Sequence, residues 1–141
     1  MADPPRDDRA RRTGVLAGQL AALGDAFRAR LLRDRESLAA AYAALAAADA
    51  DAPASLKRIE HAAHRLHGTA AMFGYAKLGE SAGRLERAAR ETLARGTSDG
   101  AAHSALAVSY AGLDGEFDAA LARAPSGPVL CGHPDASPQT K

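Results

Sequence analysis

The sequence predicts an all-helical protein that folds as an antiparallel, up-down-up-down four-helix bundle. Large apolar side chains recur at steps of three and four residues along four stretches, which is the period of helices that bury one face. Hydrophobic residues make up 47% of the chain and aromatic residues only 4%, so Ala and Leu must build most of the core between closely spaced helices. Turn or capping signals separate the stretches, and such short connections place successive helices antiparallel.

The first helix follows an apolar line that is interrupted only at Asp34. Its members are Leu16, Leu20, Leu23, Phe27, Leu31, Leu38, Tyr42 and Leu45. Two alternatives stay open at Gly24, because a glycine followed by Asp25 could divide the stretch into a short leading N-terminal helix and a longer helix capped by Asp25. Pro53 is unsuited to a helix interior and Ser55 is a good N-cap, so we expect the stretch to end within residues 49–55.

The next three helices are each bounded by a glycine or a capping residue. The second starts near Leu56 and stops at Gly74, and the third stops at Gly96. Residues 97–99 then offer caps for the fourth. The apolar lines of these helices are, in chain order, Ile59, Ala63, Leu66, Ala70 and Phe73; Leu78, Ala82, Leu85, Ala89 and Leu93; and Leu106, Tyr110, Leu113, Phe117 and Leu121.

Both ends of the chain lack this periodicity. Residues 1–13 mix Pro, Asp and Arg, and residues 125–141 are rich in Pro with few large apolar groups. Such segments cannot bury enough apolar surface to offset the entropy of ordering them. We therefore expect a disordered arm over residues 1–13, a single bundle domain over residues 14–124 and a disordered tail over residues 125–141.

Composition excludes several classes of partner and compartment. The chain has 18 Lys and Arg against 17 Asp and Glu, and a net charge of +1 gives no case for nucleic acid or an anionic membrane as the main partner. Cys131 is the only cysteine, so no intrachain disulfide can form and a reducing compartment is expected. No apolar run approaches the ~18 residues that span a bilayer, and the N-terminus lacks the apolar stretch of a signal peptide. We expect a cytoplasmic monomer.

The chemistry of the chain is concentrated in the second helix, where three of the five histidines, His61, His64 and His67, lie close together. At about 100° per residue the apolar line of this helix centres roughly 140° from His64, so the His64 ring must point outward. Gly68, one turn later, costs about 1 kcal/mol relative to Ala in a helix interior, which calls for a reason other than stability. Its missing side chain leaves room for another protein to approach the imidazole, and Ala71 extends this low patch.

The segment from Ala63 to Gly74 reads A-H-R-L-H-G-T-A-A-M-F-G, and Leu78 and the pair Leu85-Glu86 follow it. This pattern resembles the signature of the histidine phosphotransfer (HPt) domain family, approximately H-x-L-K-G-x-x-x-x-x-G followed by a helix with a Leu-Glu pair. The sharp part of the resemblance covers about residues 59–90, and the helix count extends it to roughly residues 15–123.

The resemblance implies that His64 is the phosphoacceptor and that Gly68 permits a receiver domain to dock. Gly74 matches the glycine that closes the same helix. The family often has a lysine three residues after the histidine, where it helps to hold the phosphate, but this chain has a histidine there, and a neutral imidazole supplies less charge. The candidate phosphate-supporting residues are His67, Lys57 and Arg65. The candidate docking residues are Gly68, Ala71 and His61, with help from the first long helix.

By the same resemblance, His64 would attack the aspartyl phosphate of one receiver domain and form a phosphoramidate, which a second receiver would then take up. The partners would be receiver domains of response regulators or of hybrid histidine kinases. Mg²⁺ is expected on the receiver, so this chain needs no cofactor of its own. It has no Walker motif and no nucleotide-binding region, and we expect a phosphoryl carrier without autonomous kinase activity.

Two other interpretations remain open from the sequence. The spacing H-x-x-H-x-x-H could bind a metal ion, but the three rings span about 120° of the helix, so one ion cannot easily take all of them, and Glu60 is the only convenient carboxylate. We therefore expect no metal site. A non-catalytic helical adaptor, or an inhibitor of receivers, would keep the bundle without needing a reactive His64. Glu86, on the outer edge of the third helix, is interpreted as a solvated or ion-paired residue.

Overall fold

The computed structural model describes residues 6–47 and 51–123, which form four α-helices. The helices are α1 (Arg6–Ala46), α2 (Ala52–Ala70), α3 (Ala76–Arg95) and α4 (Gly100–Ala122). α2 packs against α3, α3 against α4, and α1 against both α2 and α4, which closes the bundle. The described part of the chain contains no strand, and the all-helical, four-helix architecture predicted from the sequence is confirmed.

The first helix is longer than predicted and is not divided. α1 begins at Arg6, so residues 6–13 are helical in the structure, where the sequence predicted a disordered arm. Asp7 and Asp8 lie in its first turn, where carboxylates interact favourably with the positive end of the helix dipole. The helix continues without a break at Gly24, which decides between the two alternatives in favour of one helix with no separate leading segment.

The second helix begins earlier than predicted. α2 starts at Ala52 with Asp51 as its N-cap, and the Asp51 carboxylate accepts a hydrogen bond from the backbone N–H of Ala54 at 3.4 Å. Pro53 therefore lies in the first turn, where its missing N–H would have had no helical partner in any case. The predicted start near Leu56 was wrong because a proline excludes itself from a helix interior but not from a first turn.

The other boundaries follow the predicted signals. α2 passes into a short 3₁₀ turn over residues 71–73, and Gly74 then ends it in the left-handed region at a φ of 83°. Gly96 ends α3 with a φ of 95°. The Asp99 carboxylate caps α4, accepting hydrogen bonds from the backbone N–H groups of Ala101 and Ala102 at 3.0 and 3.2 Å.

The core consists mainly of Leu and Ala side chains contributed by all four helices. Stacked aromatic pairs connect α1 to the rest of the bundle at two levels: Phe27 on Phe73, with ring centroids 4.1 Å apart, and Tyr42 on Tyr110, with centroids 4.2 Å apart. Two members of the predicted α1 line, Leu16 and Leu23, are about half exposed instead. The reason is length: α1 has 41 residues and the other helices have 19 to 23, so its N-terminal part extends beyond them.

The ends of the chain fall partly outside the described residues. Residues 1–5 of the predicted arm and residues 125–141 of the predicted tail, with Cys131, are not described. Within the described helices, none combines the length and the apolar character needed to cross a bilayer.

Candidate functional site

His64 lies in the middle of α2 on its solvent-facing side. Its side chain is 71% exposed, while Ala63 and Leu66 beside it are buried in the core. The ring therefore points outward, as the helical projection predicted. An exposed imidazole on a rigid, well-packed helix can reach a reacting group on another molecule without any rearrangement of this fold.

Glu86 of α3 fixes the orientation of the His64 ring. The Nδ1 atom of His64 lies 2.8 Å from Oε1 of Glu86, and this glutamate is only 7% exposed. An ionised carboxylate can only accept a hydrogen bond, so Nδ1 must carry the proton. In the neutral ring the lone pair then resides on Nε2, the nitrogen on the far side of the ring from Glu86. The contact thus selects the tautomer whose nucleophilic nitrogen is free.

Arg90 holds Glu86 in turn. Its Nη2 atom donates to Oε1 of Glu86 at 2.8 Å, and its Nε donates to Oε1 of Glu60 on α2 at 3.1 Å. Burial alone would raise the pKa of Glu86, but its hydrogen bond and charge interaction with His64, together with those from Arg90, outweigh burial and lower the pKa. Glu86 is therefore ionised near neutral pH, as the tautomer argument requires.

The surface next to His64 is open at Gly68. Apart from its chain neighbours and the nearby backbone of α2 itself, no atom of the described residues would come within 4 Å of a Cβ added there, so packing inside the bundle does not require a glycine. Ala71, further along the same face, is exposed as well. The flat area beside the imidazole is thus available to a second molecule, and the sequence argument for Gly68 and Ala71 as docking residues stays a prediction that this geometry favours.

His67 is turned toward α3. Its Nδ1–H donates to the backbone carbonyl of Gly79 at 2.8 Å, and its ring rests on Gly83, where an added Cβ would lie 2.8 Å from Nδ1. Two glycines one turn apart on α3 therefore make a seat for this ring. Support of a phosphate by His67 stays a prediction, and only its Nε2 atom is free of the contact with Gly79.

Of the other predicted residues, His61 and Arg65 lie beside His64 and Lys57 does not line the same depression. His61, His64 and Arg65 line one shallow surface depression together with Arg58 and with Ser37 of α1. Arg65 also lies 3.8 Å from the buried Asp34 of α1. Lys57 is exposed and does not line that depression. Arg65 shares the depression with His64, and Lys57 does not.

A second depression on the α3 side contains cationic residues that the sequence argument missed. Its lining consists of three arginines, Arg84, Arg87 and Arg90, together with His67, Gly83 and two carboxylates, Glu80 and Glu86. Guanidinium groups are good hydrogen-bond partners for phosphoryl oxygens and for carboxylates. His64 therefore lies between cationic side chains on both sides, and those of α3 could be found only once the facing helix was known.

The three clustered histidines do not converge on one point. His64 bonds to Glu86, His67 bonds to the backbone of Gly79, and His61 faces the depression on the α1 side. Among the residues that the structure describes, no group of three or more His, Cys, Asp or Glu side chains is placed to hold a metal ion. The local arrangement is that of one oriented imidazole with a carboxylate behind it.

Glu86 is the main candidate functional residue that the sequence reasoning missed. Its interpretation as an ion-paired residue is correct, because Arg90 pairs with it, but its placement at the solvated outer edge is wrong. A signal was present: Glu86 lies four residues after Ala82 and three before Ala89, both of which are fully buried. A carboxylate on that face must meet a partner on the neighbouring helix.

Comparison with known proteins agrees with this geometry. The family model of the Hpt domain matches residues 19–125, which is more than half of the chain. Neither the curated proteins nor the solved structures give a significant match. Hpt domains have a histidine phosphotransfer role in phosphorelays and interact there with receiver domains. This chain belongs to the Hpt domain family.

Proposed function

We propose that this protein relays a phosphoryl group between receiver domains and carries it on Nε2 of His64. The observation that carries the proposal is the bond from His64 Nδ1–H to the buried Glu86, on a ring that is otherwise exposed. The bond leaves Nε2 unprotonated and directed away from the bundle. The open surface at Gly68 gives a receiver room to bring its phosphoaspartate to that nitrogen.

The transfer needs only a nucleophile and its orientation from this chain. The Nε2 lone pair attacks phosphorus in line, the bond from phosphorus to the receiver's aspartate oxygen breaks, and a phosphoramidate forms. The ring then carries a positive charge, which the Glu86 carboxylate stabilises through Nδ1–H. For onward transfer, the aspartate of a second receiver attacks phosphorus and Nε2 leaves with its electron pair, so the ring returns to the neutral tautomer.

Cationic side chains around His64 support the docking of a receiver. Arg58 and Arg65 lie on the α1 side, and Arg84 and Arg87 lie on the α3 side. Carboxylates at the rim of a partner's phosphorylation site, and the phosphoryl oxygens themselves, would meet positive charge from either direction. We expect a modest and transient interface, since a carrier has to release each partner.

The test uses His64→Gln with His103→Gln as the matched control, because His103 is a histidine of α4 that lines neither of the two depressions beside His64. Wild type and His103→Gln should take up phosphate from a phosphorylated receiver in an acid-labile, base-stable form, while His64→Gln should take up none. Uptake that persists in His64→Gln would remove His64 as the phosphoacceptor. Binding of a receiver without phosphate uptake by the wild type would favour an inhibitor over a carrier.

A further inference from the structure

Asp34 of α1 is a charged residue on a face that otherwise builds the core. Leu31 and Leu38, on the same face, are fully buried, and Asp34 itself is only 8% exposed. Burial raises the pKa of its carboxyl group more than the neighbouring arginines lower it, so the ionised form costs stability at neutral pH. A buried charge that costs stability calls for a role outside folding.

The residue that Asp34 reaches on α2 is Arg65. The Nη2 atom of Arg65 lies 3.8 Å from Oδ1 of Asp34, and the Arg65 side chain is 57% exposed. The contact uses one nitrogen of a guanidinium group that carries several N–H donors, so the other donors are left for a second acceptor. Asp34 thus draws Arg65 to the α1 side of α2 and leaves it accessible from outside.

The free nitrogen of His64 is directed away from α3. The bond to Glu86 points Nδ1 toward α3, and Nε2 lies across the ring from it. His64 and Arg65 both line the depression on the α1 side, whereas His64 is not among the residues that line the depression on the α3 side. A phosphoryl group on Nε2 would therefore extend over the surface that Arg65 borders.

His67, at the position where the family often has a lysine, lies on the other side of His64. Around α2 it is displaced from His64 by about 60° toward α3, and Arg65 is displaced by about 100° in the opposite direction. The His67 ring is also held on α3 by Gly79 and Gly83. Of the two candidate supports, only Arg65 borders the depression that His64 lines.

We propose that Arg65 holds the phosphoryl group of phosphorylated His64 on the α1 side of the ring, and that Asp34 is the residue that positions Arg65 for this contact. The inference rests on the proposed function, in which Nε2 of His64 carries the phosphate. A guanidinium N–H of Arg65 donates to a phosphoryl oxygen, which is a charge-assisted hydrogen bond. Arg65 thereby supplies the charge that His67, as a neutral imidazole, does not.

The test measures the pKa of the phosphoryl group on His64 by ³¹P NMR over a range of pH. Phosphoramidate serves as the donor: its P–N bond breaks, ammonia leaves and a bond from Nε2 to phosphorus forms, so no receiver takes part. The His64 resonance is identified by its absence from His64→Gln. A nearby guanidinium favours the dianionic phosphoryl group and lowers its pKa, so Arg65→Gln should raise that pKa. The other charged or titratable groups around the ring stay in place in this variant; they are Asp34 of α1, Arg58, Glu60, His61 and His67 of α2, and Glu86 and Arg90 of α3.

Two further variants separate position from charge. Arg30→Gln is the matched control, because Arg30 also contacts Asp34, at 3.9 Å, but does not line the depression with His64; it should leave the pKa of the phosphoryl group near that of wild type. Asp34→Asn removes a negative charge, which by itself would lower this pKa, whereas release of Arg65 from its position should raise it. Circular dichroism establishes that all the variants remain folded.

Transfer from a phosphorylated receiver gives a second readout. Arg65→Gln should slow phosphate uptake by about fivefold, the loss of a charge-assisted hydrogen bond at an exposed site. If its phosphoryl group titrated as in wild type, Arg65 would serve docking alone and the inference would be overturned, whatever the uptake rate. A lowered pKa in Asp34→Asn, or an equal rise in Arg30→Gln, would remove the positioning role of Asp34. A wild type that takes no phosphate from any receiver would instead defeat the proposed function, and the titration of chemically phosphorylated His64 would still decide on Arg65.

Discussion

The hydrogen bond between His64 and Glu86 makes a quantitative prediction about phosphoryl transfer. Glu86→Gln keeps an oxygen that can accept from Nδ1–H but removes the charge that stabilises the phosphorylated, positive ring. A hydrogen bond to a charged group contributes about 1.5–3 kcal/mol and a neutral one about 0.5–1.5 kcal/mol. Because the His64 side chain is 71% exposed, solvent screening favours the low end of these ranges.

The expected loss follows from these values. For Glu86→Gln we expect about 1 kcal/mol, which slows transfer from a phosphorylated receiver by about fivefold. For Glu86→Ala the acceptor is also lost, and we expect about 1.5 kcal/mol or more, a slowing of at least about tenfold. The assay is the single-turnover rate of phosphate uptake at saturating receiver, so that docking does not limit the rate.

The matched control is Glu91→Gln. Glu91 is also a glutamate of α3 paired with an arginine four residues later, Arg95 at 3.1 Å, but its side chain is solvent-exposed and it does not contact His64. We expect its transfer rate to equal that of the wild type. If Glu86→Gln and Glu86→Ala both transferred at the wild-type rate, orientation of His64 by Glu86 would play no part in the reaction, and the argument from the tautomer would be refuted.

Three further predictions concern docking, packing and pH. Gly68→Gln should leave the melting temperature within a few degrees of wild type but block phosphate uptake. The control Gly112→Gln, at an equally open helix position, should leave uptake unchanged. A Gly68→Gln variant with normal uptake would contradict docking at this position. Gly83→Ala should displace the His67 ring, because the added methyl group would overlap it. A double-mutant cycle with His67→Ala, measured by chemical denaturation, should therefore give a coupling free energy of about 1 kcal/mol. A coupling near zero would show that the contact between His67 and Gly83 does not stabilise the fold. Burial raises the pKa of Asp34 more than the nearby arginines lower it, so the ionised carboxylate destabilises the fold above its folded pKa. Asp34→Asn should therefore raise the melting temperature at pH 7 by roughly 1–3 °C. This gain should vanish as the pH falls below the ordinary pKa of 3.8, where the carboxyl group is protonated in both the folded and the unfolded state. A gain in melting temperature that persisted or grew in acid would contradict this explanation.

Local chain signals predicted most of the fold. Gly74 and Gly96 end their helices in conformations with positive φ, which an L side chain rarely adopts, and such positions can be found in a sequence because they depend on a single residue. The outward direction of His64 was also predictable, since the angle between it and the apolar line depends only on helical geometry. The start of α2 was missed because Asp51 and Ser55 are both good caps and the choice depends on the whole first turn.

Features that depend on two helices were not predictable. Glu86 meets His64 because of the register between α2 and α3, and nothing in either helix alone sets that register. The seat of His67 on Gly79 and Gly83 depends on the same register. The exposure of Leu16 is a matter of relative length, because an apolar line predicts a buried face only where a neighbouring helix is present to cover it.

The most direct test of the central claim is to determine which nitrogen of which histidine carries the phosphate. After phosphorylation by a receiver, protein labelled with ¹⁵N at histidine can be studied by NMR for coupling between ³¹P and the ring nitrogens. We predict that the phosphate lies on Nε2 of His64, because Nδ1 is bonded to Glu86. A phosphate on Nδ1 of His64, or on any other side chain, would contradict the account.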